Sequence, residues 1–169
     1  MTEPHSTARP AFSQRWFEDY PVGEIAEFGD YPITETEIVE FARRYDPQPF
    51  HIDPVAAEAS HFGGLVASGW MTASCAMRML VDHYISPQAS MGSPGVDELR
   101  WVQPVRSGDR LRMRTTVLES RRSQSKPDRG MVRFHWDVLR QDGVTVMTMS
   151  GWGMYRVRPE TNKPPEGGL

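Results

Sequence analysis

Residues 68–85 read SGWMTASCAMRMLVDHYI, and this run decides the architecture. Apolar side chains fall on almost every side of it: Trp70, Met71, Ala73, Cys75, Ala76, Met77, Leu80, Val81 and Tyr84. A helix apolar nearly all round is expected to be buried in a core. The most apolar stretch, residues 63–77, is shorter than the roughly 20 residues a membrane span needs and runs into Arg78, so no membrane partner is expected.

Toward the carboxyl end the period changes from helical to alternating. Residues 96–105, 110–120, 131–140 and 144–157 read as strands, separated by turn signals at Ser107-Gly108-Asp109, residues 126–130 and Asp142-Gly143. Leu111, Met113, Thr115 and Val117 alternate with Arg110, Arg112, Arg114 and Thr116, which gives that strand one dry and one wet face. A greasy helix followed by four antiparallel strands implies an α+β fold in which a sheet wraps around the helix.

Toward the amino end, Tyr20-Pro21-Val22-Gly23 marks a turn before an extended stretch at residues 24–33. Thr34 and Glu37 have capping-box spacing, and Ile38, Phe41, Ala42 and Tyr45 share one face, so a helix is expected over residues 35–45. Pro47 and Pro49 cannot continue it, and they bias Asp46 and Gln48 toward extended backbone. Asp53-Pro54 then caps and opens a short helix through Val55, Ala56 and Ala59, leaving His51 between two helices. Residues 14–158 read as one domain, with a flexible arm at 1–13 and a disordered tail at 159–169.

A composition of 38% hydrophobic and 24% charged residues suits a globular chain with a real core. The net charge of -3 gives no general attraction to nucleic acid or anionic lipid, so no nucleic-acid partner is expected. The lone Cys75 excludes an internal disulfide and is read as a small core residue. Together with a polar amino end that carries no signal-like apolar run, it leads to the expectation of a cytoplasmic protein.

The chemistry concentrates on Asp46 and His51, five residues apart on the proline-stiffened bend. Taken singly, a turn aspartate and a lone histidine are commonly structural. Held together on one stiff bend, a carboxylate and an imidazole can converge on a single water and move its proton. With ordinary pKa values of about 3.9 and 6.5, a carboxylate faces a largely neutral ring near neutral pH, and either group could take the proton.

Ser68-Gly69-Trp70 opens the apolar helix, where backbone NH groups lack partners and carry partial positive charge. A developing oxyanion is expected to meet Gly69 there, while Ser68 caps the helix or touches the ligand. Phe50, Phe62, Trp70 and Met71 are candidate walls of a dry slot. His61, His83 and His135 have no metal-ligand spacing and are read as structural, so no metal is expected. Ala67-Ser68-Gly69 does not form the glycine-flanked elbow of serine hydrolases, and Gly63-Gly64 lacks phosphate-loop spacing. Arg121, Arg122, Lys126 and Arg129 cluster around a hairpin loop, as solvated surface charge or as a docking site for phosphates of a large carrier group.

The run Asp46-Pro47-Gln48-Pro49-Phe50-His51 resembles the motif of the MaoC-like dehydratases, which include the (R)-specific enoyl-CoA hydratases: Asp, a variable residue, Asn-Pro, another variable residue and His. Gln48 stands where Asn is usual, and Tyr45 where Gly is common. Ser68-Gly69 resembles the segment that meets the thioester carbonyl in this family. The run from Arg100 to Asp109 resembles its strand and turn after the central helix, a feature that related thioesterases share.

The resemblance spans residues 14–158. It implies a hotdog fold and a homodimer, with an acyl thioester of coenzyme A or acyl carrier protein entering near the interface. It further implies reversible hydration of a trans-2-enoyl thioester to an (R)-3-hydroxyacyl thioester, with no organic cofactor. Asp46 is then expected to accept the water proton, His51 to orient the water and help return a proton to the α-carbon, and Gly69 to meet the thioester oxygen, with Phe50 and Trp70 beside the acyl group. Thioester hydrolysis and a non-catalytic acyl-binding subunit are the alternative functions.

Overall fold

Strict alternation of apolar and polar side chains along residues 110–117 sets one face of a sheet against the long helix. The computed structural model describes residues 11–159. In chain order these form β1 (Ile25–Pro32), α1 (Glu35–Tyr45), α2 (Pro49–Ile52), α3 (Pro54–Glu58), α4 (Gly69–His83), β2 (Gly95–Trp101), β3 (Arg110–Arg122), β4 (Arg129–Arg140) and β5 (Thr145–Arg156), after two short 3₁₀ turns at Phe12–Gln14 and Phe17–Asp19.

All five strands join one antiparallel sheet in the order β1-β3-β4-β5-β2. The hairpins β3-β4 and β4-β5 follow from their turn signals, whereas β2 crosses the sheet to pair with β5, Leu99 opposite Met149 and Trp101 opposite Met147. The extended stretch before the first helix becomes a full edge strand on β3. Its register shifts between Phe28 and Tyr31, around Gly29 at φ 81°. A Cβ at Gly29 would stand 2.5 Å from Met79 Sδ, so the glycine at this irregularity lets β1 close onto α4.

Leu111, Met113, Thr115 and Val117 are all buried, and the arginines between them face outward, where Arg112 and Arg114 pair with Glu27. Helix α4 buries Met71, Cys75, Ala76, Met79 and Leu80 against the sheet. Its burial is one-sided, contrary to the all-round expectation: Trp70, Met77 and Val81 remain 59%, 49% and 56% exposed. A single sheet covers one side of a helix, and the opposite apolar stripe finds no cover among the described residues.

Ordered packing begins before residue 14. Of the arm expected at residues 1–13, Phe12 packs its ring 5.0 Å from that of Tyr84, beneath the Arg15 guanidinium at 4.3 Å. Residues 1–10 and, apart from Pro159, the expected tail lie outside the described residues. Arg15 itself forms a buried ion pair with Glu24 at 2.6 Å. No helix among the described residues is long and apolar enough to cross a membrane.

Candidate active site

Helix α1 ends at Asp46, whose NH still donates to Ala42 O at 2.8 Å while its backbone leaves helical geometry at φ -151°, as a residue before proline must. Pro49 then starts a new turn instead of prolonging an extended bend. It occupies the first position of α2, where no NH is needed and its fixed φ suits a helix. His51 therefore stands on its own one-turn helix, a correction to the expected bend between two helices. Asp53 caps α3 as its sequence implied, accepting from Val55 N at 2.9 Å and Ala56 N at 3.3 Å.

The chain returns to this turn through Val66, whose NH donates to Phe50 O at 3.3 Å. Two consequences follow for the dyad. Val66 O lies 2.7 Å from His51 Nδ1. Ser68 donates its hydroxyl to Asp46 Oδ2 at 2.7 Å while accepting the Trp70 NH at 3.2 Å as the cap of α4. Gln48 Nε2 donates to the other carboxylate oxygen, Oδ1, at 2.7 Å.

Asp46 Oδ2 and His51 Nε2 are 3.3 Å apart, with the histidine buried and the aspartate side chain 20% exposed. A carbonyl oxygen only accepts, so His51 Nδ1 carries the proton. In the neutral ring the lone pair then sits on Nε2, facing a carboxylate oxygen. Two acceptors at that distance call for a shared donor, either a water hydrogen-bonded to both or a proton held by the ring. Partial burial pushes the Asp46 carboxyl upward, but hydrogen bonds from Ser68 and Gln48 and the neighbouring His51 together outweigh it and hold the group below the ordinary carboxylate range.

The pair opens into a cavity of about 500 Å³, whose walls include Phe50, Phe62, Gly69, Trp70 and Trp101. All four residues suggested as substrate contacts are thus drawn to one place: Phe50, Gly69 and Trp70 as lining, and Ser68 through its bond to Asp46. Met71 is not among them; it is a core residue only 1% exposed. The Gly69 NH belongs to the first turn of α4 and has no acceptor within the helix.

Trp101 supplies a reason for glycine at this position that its neighbours in sequence do not disclose. A Cβ on residue 69 would stand 2.5 Å from the indole Nε1, while Trp70 meets the same indole edge-on at 5.2 Å. Three parts of the site escaped the sequence reading: Gln48 as a partner of Asp46, the Val66 carbonyl that sets the imidazole tautomer, and Trp101. A signal existed for Gln48, which lies inside the motif. None existed for a backbone carbonyl 15 residues away from its histidine.

Among the described residues, the other three histidines do not line the cavity. His61 lies exposed against Phe62 at 4.0 Å, and His83 is exposed at the end of α4. His135 bonds Ser150 of β5 at 3.0 Å and lies 3.3 Å from Asp137 on its own strand.

Comparison with known proteins agrees in fold and in sequence. A family model described as "MaoC like domain" matches residues 19–134. The crystal structure of the MaoC-like dehydratase from Rhodospirillum rubrum is 40% identical at a TM-score of 0.80, covering 86% of this chain and 99% of that one. R-hydratase PhaJ1 from Pseudomonas aeruginosa shares the fold at a TM-score of 0.69 and 24% identity, over 91% of this chain and 96% of its own. The curated relative "Protein MaoC" of Klebsiella aerogenes is 31% identical over 104 residues, 61% of this chain. The matched region spans 30% of that relative's length. The sheet wrapped on α4 is the hotdog fold.

Proposed function

This chain belongs to the MaoC-like domain family, and from that premise we propose that it catalyses reversible addition of water to a trans-2-enoyl thioester, giving an (R)-3-hydroxyacyl thioester. One observation carries the reading: a carboxylate oxygen and an imidazole lone pair 3.3 Å apart at the wall of an aromatic-lined cavity. A water donating one hydrogen to each would present its oxygen lone pair to the cavity, positioned for attack on the β-carbon of an enoyl group lying against Phe50 and Trp70.

As the carbon–oxygen bond forms, the water must lose a proton. Asp46 is a weakened base, because Ser68 and Gln48 already satisfy its oxygens and hold its carboxyl down. His51 Nε2, with its lone pair free, is the better acceptor, and Asp46 then faces the imidazolium so formed. These roles reverse the expectation that Asp46 takes the proton. The same imidazolium returns its proton to the α-carbon, so one group serves both halves of the addition.

Electron density driven onto the thioester oxygen would be met by the Gly69 NH and the amino end of α4. A donor so placed is worth about 3 kcal/mol in related oxyanion sites. No step requires an organic cofactor. The acyl carrier is either coenzyme A or acyl carrier protein.

We further propose a homodimer in the cytoplasm. Supporting it are the open edge of β2 and the uncovered stripe of Trp70, Met77 and Val81 on α4, which a second copy would bury. A single buried cysteine suits a reducing compartment.

The test is incubation of the purified protein with short, medium and branched enoyl-CoAs, following conjugated-enoyl absorbance and free thiol together. Hydration removes the absorbance and leaves the thioester intact. Release of thiol would instead identify a hydrolase, and tight binding without turnover an acyl-binding subunit.

A further inference from the structure

Between α3 and α4 the chain runs through residues 59–68 without helix or strand, yet this stretch delivers two parts of the site: Phe62 in the cavity wall and the Val66 carbonyl at His51. An irregular segment can keep a carbonyl on one ring nitrogen only if its own peptide groups are pinned. Here the pins can be followed one by one.

Both peptides that flank Val66 are held at each end. In the Val66–Ala67 peptide the carbonyl faces His51 Nδ1 at 2.7 Å, and the NH donates to Val105 O at 2.8 Å. In the Leu65–Val66 peptide the NH donates to Phe50 O at 3.3 Å, and the carbonyl accepts from Arg106 Nη1 at 3.4 Å. The other terminal nitrogen of that guanidinium, Nη2, donates to Phe62 O at 2.5 Å. One side chain thus clasps the loop on both sides of Gly63-Gly64.

The surrounding sequence fits the clasp. Gly63 and Gly64 stand at φ 61° and 145°, backbone conformations that other residues adopt at a cost. A Cβ at Gly64 would also lie 3.1 Å from Arg106 Nη1, so the glycine leaves room for the guanidinium. Arg106 has a firm base of its own, because its NH donates to Asp109 Oδ2 at 2.8 Å and its carbonyl accepts from Asp109 NH at 3.1 Å. That turn is fastened beside the end of β1: Gly108 NH donates to Ile33 O at 2.9 Å, and Ile33 NH to Asp109 O at 2.8 Å. A charged donor binds a carbonyl more strongly than a neutral one, and a planar fork serves two acceptors at once.

We propose that Arg106, which does not line the cavity, is a positioning residue for His51: by fixing the loop from Phe62 to Val66 it holds the Val66 carbonyl on Nδ1 and so keeps the imidazole lone pair on Nε2. The consequence for catalysis rests on the hydration reading. The consequence for the ring does not.

The experiment reads the imidazole directly. In the full chain carrying isotope-labelled histidine, proton–nitrogen correlation NMR at about pH 8.5, well above the ordinary histidine range, reports which ring nitrogen holds the proton. Loss of one set of signals in His51→Ala identifies those of His51. The wild type should carry the proton on Nδ1. Arg106→Gln should show a population with the proton on Nε2, and its kcat for enoyl-thioester hydration should fall about tenfold to a hundredfold. Arg100→Gln, at an exposed β2 residue paired with Glu98, should change neither. Should Arg106→Gln fail to fold by circular dichroism, Arg106→Lys retains the charge and the stem without the fork, and the same tautomer shift is expected of it. A folded variant that keeps the His51 proton on Nδ1, or one that keeps the kcat of an active wild type, overturns the proposal, as does a wild type protonated on Nε2. A tautomer shift in a protein that hydrates no enoyl thioester supports the positioning role and removes the hydration reading instead.

Discussion

His51 Nδ1 lies 2.7 Å from the carbonyl oxygen of Val66, and this one contact fixes which face of the imidazole is available for chemistry. It ties the turn that carries the histidine to the segment that leads into α4. Acid–base geometry and the position of the helix end are thereby linked.

His51→Ala removes the acceptor lone pair, and Asp46→Asn removes the charge facing it. Each substitution should lower kcat for enoyl-thioester hydration by about 10²–10⁴-fold, the usual contribution of a positioned general base, with a much smaller change in KM. Steady-state loss of enoyl absorbance, with circular dichroism to check the fold, measures this. A variant with wild-type turnover would remove its residue from the mechanism.

Ser68→Ala should act in two ways, because one hydroxyl caps α4 and also bonds Asp46. Loss of the cap should destabilise the protein by about 1 kcal/mol at neutral pH, read from urea unfolding. Loss of the bond should let the Asp46 carboxyl rise toward the ordinary range, seen as a higher midpoint when that carboxyl is titrated by carbon-detected NMR. An unmoved midpoint with an ordinary stability loss would leave Ser68 a cap alone.

The same carboxyl sets a sign for stability against pH. Its value in the folded state lies below the ordinary one, so the stabilisation is present above the unfolded carboxylate range, near pH 4, and is lost as pH falls through the folded value. Unfolding free energy measured from pH 6 downward should therefore fall less steeply in Asp46→Asn than in the wild type. Parallel curves would contradict the lowered value.

Gly69→Ala should drive a methyl group into the Trp101 indole, at a cost of about 1–3 kcal/mol for overpacking, or displace that indole into the cavity. In either case kcat/KM should drop. Adding Trp101→Ala to Gly69→Ala should recover stability relative to the single variant, as seen in a thermal-unfolding double-mutant cycle. Additive losses would show that the two residues do not compete for the same space.

Arg15 and Glu24 form a buried ion pair whose side chains are 4% and 1% exposed. Arg15→Met removes the guanidinium from a carboxylate that stays buried, and should destabilise the protein by about 3–5 kcal/mol. The combined Arg15→Met and Glu24→Leu variant should lose much less, because both buried charges are removed together. Urea unfolding of both variants decides this.

Local chemistry made much of this molecule legible before any coordinates. Thr34 and Glu37 announced the first residue of α1, Asp53-Pro54 announced α3, and the alternation from Leu111 to Val117 announced the dry face of β3, because caps and strand periods act over a few residues. Asp46 and His51 were legible as a pair from their five-residue spacing, although the turn that joins them is a short helix opened by Pro49 and not an extended bend. Tertiary structure decided what depends on segments distant in sequence. Only the folded chain carries β2 past β3 to pair with β5, brings Trp101 onto Gly69, and aims the Val66 carbonyl at one nitrogen of His51. Each of these is a contact between segments whose spacing carries no shared period, so their meeting is set by how the sheet closes on α4 and not by any local preference.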